Sequence, residues 1–196
     1  EGVHFHSFPF TSERAQQKVI DLTRKLAVYT KSITLHMVPF TDIQTRLNQG
    51  RKEALLITLM RRSMLRICTN LARKRKALAI VTGDSLGQVA SQTLMSLNVI
   101  GRETDLPLLR PLVGMDKQEI IEIARKIDTY ETSILPYEDC CTLFVPKSPS
   151  TRPSLKVVES LEAKMDWLPE LEEEAAEKAE LMKIIDEPVT DTAHLF

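Results

Sequence analysis

The chain is short of cysteine, glycine and aromatic residues, with three Cys, six Gly and one Trp among 196 residues. Two of the three cysteines, Cys140 and Cys141, are adjacent, which does not fit the paired framework of a small secreted domain. No apolar run approaches the length of a bilayer span, and no signal-peptide pattern opens the chain. A cytoplasmic location without membrane contact is therefore expected. His4, His6, His36 and His194 show no zinc spacing with the cysteines, so no metal site is expected. Charge of one sign is also lacking: 26 Lys and Arg face 27 Asp and Glu, a formal net charge of -1. Binding to nucleic acid would need a local basic patch, because the whole molecule exerts no such pull. What is present is enough apolar residue, 43%, for a real core. The length suits one domain with room for an appendage.

Strand and helix patterns alternate along most of the chain. Gly2 to Phe8 reads as a strand running into Pro9. Thr11 or Ser12 caps a helix to about Tyr29, with Ala15, Val19, Leu22 and Leu26 at helical spacing. Ser32 to Val38 is the next strand, and Pro39 to Leu47 a short helical segment. Asn48 to Glu53 reads as a loop before a long helix over Ala54 to Lys74. Ala77 to Val81 is a strand, followed by a helix to about Leu97. Leu106 to Val113 carries two prolines and reads as a short or edge strand. Asp116 to Lys126 is periodic, with Ile120, Ile123 and Ala124 inward. This order predicts an α/β fold with a doubly wound parallel sheet. Pro136, Pro146, Pro149 and Pro153 break any regular element between Thr132 and Pro153. Beyond Ser154 the pattern is helical and charged, with Glu170 to Lys183 an acidic helix. The expected division is residues 1–153 as the α/β part and 154–196 as a helical extension packing on it.

The segment richest in chemistry is Ala77 to Thr93. A short apolar strand ends in Thr82-Gly83-Asp84-Ser85, where a parallel sheet makes ligand sites at its carboxyl edge. Gly83 lets a backbone approach a ligand closely, or serves only a turn that needs φ > 0. Ser85 is expected to cap the following helix, whose free N–H groups favour an anion or a polar nucleotide edge. Gln92 lies two helical turns after Ser85, so both fall on one face of that helix. Its amide can read an adenine edge, or simply be a satisfied polar group. Arg61 and Arg62 are adjacent on the long helix and diverge by about 100°, so at most one points into a site. Arg61 then either meets a ligand or joins a solvated basic face with Arg66, Arg73, Lys74, Arg75 and Lys76, which can also touch a nucleic-acid backbone. Cys68 sits mid-helix among apolar residues and reads as core.

Four segments carry a family resemblance: Val3-His4-Phe5-His6-Ser7 with Thr11-Ser12-Glu13-Arg14-Ala15; Met60-Arg61-Arg62; Thr82 to Thr93; and Pro136-Tyr137-Glu138-Asp139-Cys140-Cys141-Thr142. Together they resemble the catalytic domain of the ThiI sulfurtransferases, the tRNA 4-thiouridine synthetases, over nearly all of residues 1–185. The resemblance implies a PP-loop ATP pyrophosphatase fold of the adenine nucleotide alpha hydrolase kind. It implies adenylation of uridine 8 of tRNA at O4 by ATP, with Mg2+ accompanying the nucleotide. A cysteine persulfide, loaded by a cysteine desulfurase, then delivers sulfur and AMP leaves. The same persulfide route is linked to the thiazole of thiamine, and the family is often dimeric.

Carried over by residue, the resemblance makes His4, Phe5, Arg61, Gly83 and Gln92 nucleotide-binding. Phe5 is placed to stack on adenine and the backbone beside it to bond the adenine edge. Asp84 stands where a Glu is common, keeping the charge with one methylene less reach. Cys140 and Cys141 are the sulfur-transfer candidates. A persulfide chemistry requires an exposed, mobile thiolate. Neighbouring cysteines seldom bridge one another, so one catalytic cysteine and one helper are expected. The other reading is a pair of buried structural cysteines. Lys147 and Arg152 are either tRNA contacts or plain surface charges.

Nothing in the sequence matches the family's phosphate loop, Ser-Gly-Gly-x-Asp-Ser, which the resemblance places ahead of residue 1 with the first strand of the sheet. A sheet without that strand exposes apolar edges. The isolated chain is accordingly expected to be marginal, aggregated or completed by another chain. Two rival readings remain: another PP-loop tRNA-modifying enzyme, against which the absence of a Cys-x-x-Cys pair counts, and a non-catalytic remnant binding nucleotide, RNA or a partner.

Overall fold

In a computed structural model, residues 1–50, 53–137, 140, 143–144 and 146–186 are described. Strand β1 (Gly2–His6) is followed by α1 (Glu13–Thr30), β2 (Ser32–Pro39), α2 (Thr41–Asn48) and α3 (Leu56–Lys74). Then come β3 (Ile80–Val81), α4 (Leu94–Gly101), β4 (Leu108–Leu109), α5 (Lys117–Lys126) and α6 (Tyr130–Ser133). The last elements of the described residues are α7 (Leu155–Glu162), α8 (Leu168–Glu177) and β5 (Glu180–Ile185). The fold is α/β, and both consecutive-strand pairs are parallel: β1 with β2, and β3 with β4.

The caps explain several boundaries. Ser12 Oγ accepts from Ala15 N at the start of α1. Asp116 caps α5 in a reciprocal box with Glu119, satisfying donors that the first helical turn leaves unpaired. β2 alternates between two apolar layers, which is how a strand covered on both faces is built. Leu35 and Met37 pack with Ala27 of α1 and Ile184 of β5. Val38, on the opposite face, joins Phe40, Met60, Ile67 and the α7–α8 residues Val158, Leu168, Ala175 and Ala176. The helices after Ser154 thus contribute to the main core.

Three expectations are corrected. Residues 180–185 are a strand, where an acidic helix was expected to continue to Lys183. β5 runs antiparallel along β2, pairing Leu35 with Met182 and Ile33 with Ile184. The reason is a period of two hidden under helix-favouring neighbours: Met182 and Ile184 turn inward, while Leu181 and Ile185 face out. Second, no helix starts at Ser85. Its hydroxyl donates to the Met115 carbonyl at 2.9 Å, and Leu86 N donates to Val113 O at 3.2 Å. These bonds strap residues 85–86 to the turn before α5, and Thr93 caps the helix instead, accepting from Ser96 N. Ser85 and Gln92 therefore do not share a helix face. Third, Arg66 is not part of a solvated basic face: it is bonded to Glu172, Glu103 and Glu162.

β1 and β3 are not paired with each other, and their sheets stay separate. Between them lies a cleft of about 530 Å³, with Val3 and Phe5 on one side, Ile80 and Val81 on the other. Its floor is the apolar side of α3, including Met64, Leu65 and Cys68. Among the described residues no helix is long and apolar enough to cross a membrane, and none cluster as metal ligands.

Candidate functional site

The cleft runs along β1 and β3, from Glu1, Arg75 and Ala77 beside their amino ends to Thr82 and Asp84 at the carboxyl end of β3, and Arg61 of α3 organises the latter end. Its Nη1 donates to the Ser91 carbonyl at 2.9 Å and its Nη2 to Asp84 Oδ1 at 2.5 Å. One guanidinium therefore spans the neighbours of two expected nucleotide residues, Gly83 and Gln92. The loop between them is closed by its own bonds: Gly87 N donates to the Gln92 carbonyl at 3.1 Å, and Gln92 N to Val89 O at 2.9 Å. Gly87 takes φ +77°, a conformation that favours glycine.

Gly83 is different. Its φ lies outside the left-handed range, and an added Cβ would meet nothing within 4 Å. A turn requirement therefore does not explain glycine at this position, which removes one of its two readings. Arg62, one residue along, points away from the cleft into a buried ion network with Glu162 and Glu103. The divergence expected of adjacent helical arginines is met.

Asp84 is 4% exposed and is the hub of the site. Besides Arg61 it accepts from Thr82 Oγ1 at 2.8 Å and from Arg110 Nε at 3.3 Å. Burial works to raise its pKa, but the Arg61 charge and the hydrogen bonds from Thr82, Arg61 and Arg110 outweigh it and hold the carboxyl below its usual 3.8. A depressed folded value contributes stability above the unfolded value and loses it as pH falls through the folded value. Asp84→Asn should thus be less stable than wild type near neutrality, and the gap should close on acidification below about pH 4. Denaturant unfolding of both proteins across that range checks this, and a gap that stays constant would count against an ionised Asp84.

The register of β1 separates two residues the sequence places together. Phe5 lies opposite Val38 and His4 opposite Met37. Phe5 therefore faces α3, where it meets Phe40 edge to face at 5.4 Å and lines the cleft. His4 takes the opposite face, so only its backbone is shared with the cleft side.

Cys140 is buried, at 6% exposure, not the exposed thiol that sulfur transfer was expected to require. Its carbonyl accepts from Gln44 Nε2 at 2.5 Å, and Gln44 Oε1 accepts from Ser7 Oγ. This relay ties the cysteine loop to the carboxyl end of β1. Cys141 lies outside the described residues. Cys68 lines the cleft, and burial pushes its thiol up to about 12, which favours the protonated form. Lys147 and Arg152 are exposed.

Thr82 and Arg110 are absent from the sequence-based site. The readable signal for Arg110 was its place one residue past a strand parallel to β3, at the edge where such sheets bind ligands.

The ThiI family, described as "Thiamine biosynthesis protein (ThiI)", matches residues 1–167. The chain belongs to this family. It is also similar to a crystal structure of a 4-thiouridine synthetase–RNA complex with bound ATP, at 43% identity and a TM-score of 0.89. That match covers 94% of this chain and 48% of the other, so the chain spans about half of its relative's length. The α/β architecture and the ThiI assignment expected from the four sequence segments both hold.

Proposed function

We propose that this chain is the nucleotide- and sulfur-handling part of a ThiI-type tRNA 4-thiouridine synthetase. The observation that carries the reading is the Arg61 bridge, which joins the flanks of Gly83 and Gln92, with Arg61 and Asp84 lining the same cleft as Phe5. The residues fit an adenine nucleotide: an aromatic ring for the base, a glycine with open space for close approach, and guanidiniums for anionic or ribose oxygens. His4 contributes through its backbone, and Gln92 by its amide. ATP, accompanied by Mg2+, activates O4 of uridine 8 as an adenylate with release of pyrophosphate. The outer sulfur of a persulfide at the Cys140–Cys141 loop, loaded by a cysteine desulfurase, attacks C4 and displaces AMP; a second thiol then cleaves the remaining S–S bond, forming a disulfide and freeing 4-thiouridine. The buried setting of Cys140 supports Cys141 as the sulfur carrier and Cys140 as the helper. The family description supports the further link to thiamine. The protein works in the cytoplasm, with tRNA as substrate and a homodimer as its assembly.

The test joins this chain to the remaining half of the 4-thiouridine synthetase of known structure, in a strain lacking its own enzyme. Nucleoside analysis of tRNA should find 4-thiouridine, lost with Cys141→Ser and reduced with Cys140→Ser. A folded fusion that makes none, beside an active intact relative, would sink the proposal.

A further inference from the structure

The arginine pair around Asp84 holds more charge than its own carboxylate balances. Arg61 comes from α3 and Arg110 from the end of β4, and both bond Asp84. Two guanidiniums against one carboxylate leave one positive charge at the carboxyl ends of β3 and β4. It lies on a cleft whose neighbouring walls include Phe5, Met64 and Val81. Apolar walls lower the local dielectric and strengthen the pull on an anion.

The two arginines are held differently. Arg61 has both Nη atoms on fixed acceptors, so its plane is set. Arg110 donates through Nε, and its Nη atoms carry no hydrogen bond among the described residues. Nη2 lies beside Gly101 at the end of α4, where an added Cβ would sit 3.4 Å from it. The two side chains keep 20% and 21% exposure, enough to be reached by a ligand.

We infer that Arg110 binds a phosphate of the adenine nucleotide in this cleft, with Asp84 the positioning residue that orients both guanidiniums toward it. The inference rests on the nucleotide reading above and extends it to a residue and a ligand part. Arg suits the task because its planar fork presents parallel donors to phosphate oxygens.

Calorimetric titration of the 196-residue chain with ATP, AMP and adenosine tests this. Arg110→Gln should weaken ATP and AMP by roughly 10- to 100-fold, the range of a lost charged hydrogen bond, and leave adenosine unchanged. Asp84→Asn should weaken the same two ligands, and Asp84→Glu should restore part of the loss. Arg110→Met serves as a second variant if the first does not fold. ATP affinity unchanged in the folded Arg110 variants overturns the inference alone. Equal losses for ATP and adenosine also overturn it, because they mark a merely structural effect. A folded wild-type chain that binds none of the three overturns the nucleotide reading and the inference with it.

Discussion

Arg62→Met should destabilise the chain by about 3–5 kcal/mol, measured by urea unfolding. Arg62 is 3% exposed and donates Nε to both Glu162 carboxylate oxygens at 3.0 Å. Its Nη2 reaches Glu162 at 2.7 Å, and Nη1 caps the Val99 carbonyl at 2.6 Å. Arg66, one helical turn on, binds Glu172 through Nε at 3.0 and 2.9 Å, and also meets Glu103 and Glu162. The network therefore sets two arginines against three glutamates. Removing Arg62 leaves three carboxylates, none more than 13% exposed, sharing one cation. The large cost comes from that uncompensated buried charge rather than from the worth of any single pair. Against a typical total of about 5–15 kcal/mol, such a loss removes a large part of the stability. Arg73 provides the contrast. It pairs with Asp105, but the two side chains are 63% and 73% exposed. Arg73→Ala should change stability by no more than about 0.5 kcal/mol. Equal effects from the two substitutions would mean that the network does not hold α3 to α7 and α8.

That network also shows what sequence patterning could and could not reveal. The divergence of Arg61 and Arg62 follows from helix geometry alone and was legible. The partners of Arg62 and Arg66 were not, because Glu103, Glu162 and Glu172 lie far along the chain and no local rule joins them. The same limit applies to β5. Its residues follow an acidic, Ala-rich helix, and their alternation becomes decisive only beside the unpaired edge of β2. At Ser85 the local cap signal was real, but Met115 offered a competing acceptor brought in by tertiary folding. His4 and Phe5 were read as a pair, yet the parallel register with β2 fixes opposite faces for them. Gly83 and Gln92 stand in the Thr82 to Thr93 string and Arg61 in Met60-Arg61-Arg62, and only the tertiary fold brings the two segments together, through the Arg61 bonds to Asp84 and Ser91. Asp84 as the hub of two arginines was not legible, since Arg110 follows it by 26 residues, just past β4.

Gly83→Trp should abolish measurable ATP binding, a loss of at least roughly 100-fold or about 2.7 kcal/mol, while leaving the unfolding midpoint close to wild type. The two halves of this expectation have separate physical grounds. Stability is spared because Gly83 occupies no left-handed conformation and an added Cβ would meet nothing within 4 Å. Binding is lost because the residue lies between Thr82 and Asp84, which line the cleft, and a bulky ring there would take the space a nucleotide needs. Gly87→Ala is the opposite case. Its φ of +77° makes any side chain strained, so this substitution should lower stability, by about 1 kcal/mol or more. It should affect binding less than Gly83→Trp, since the loop's closure through Gln92 uses the Gly87 backbone N–H, which alanine keeps. Parallel calorimetry and thermal melts on both variants separate a ligand-contact glycine from a conformational one. If Gly83→Trp binds ATP as wild type does, the nucleotide does not lie against this loop. The Arg61 bridge would then be a structural tie between α3 and residues 84–91.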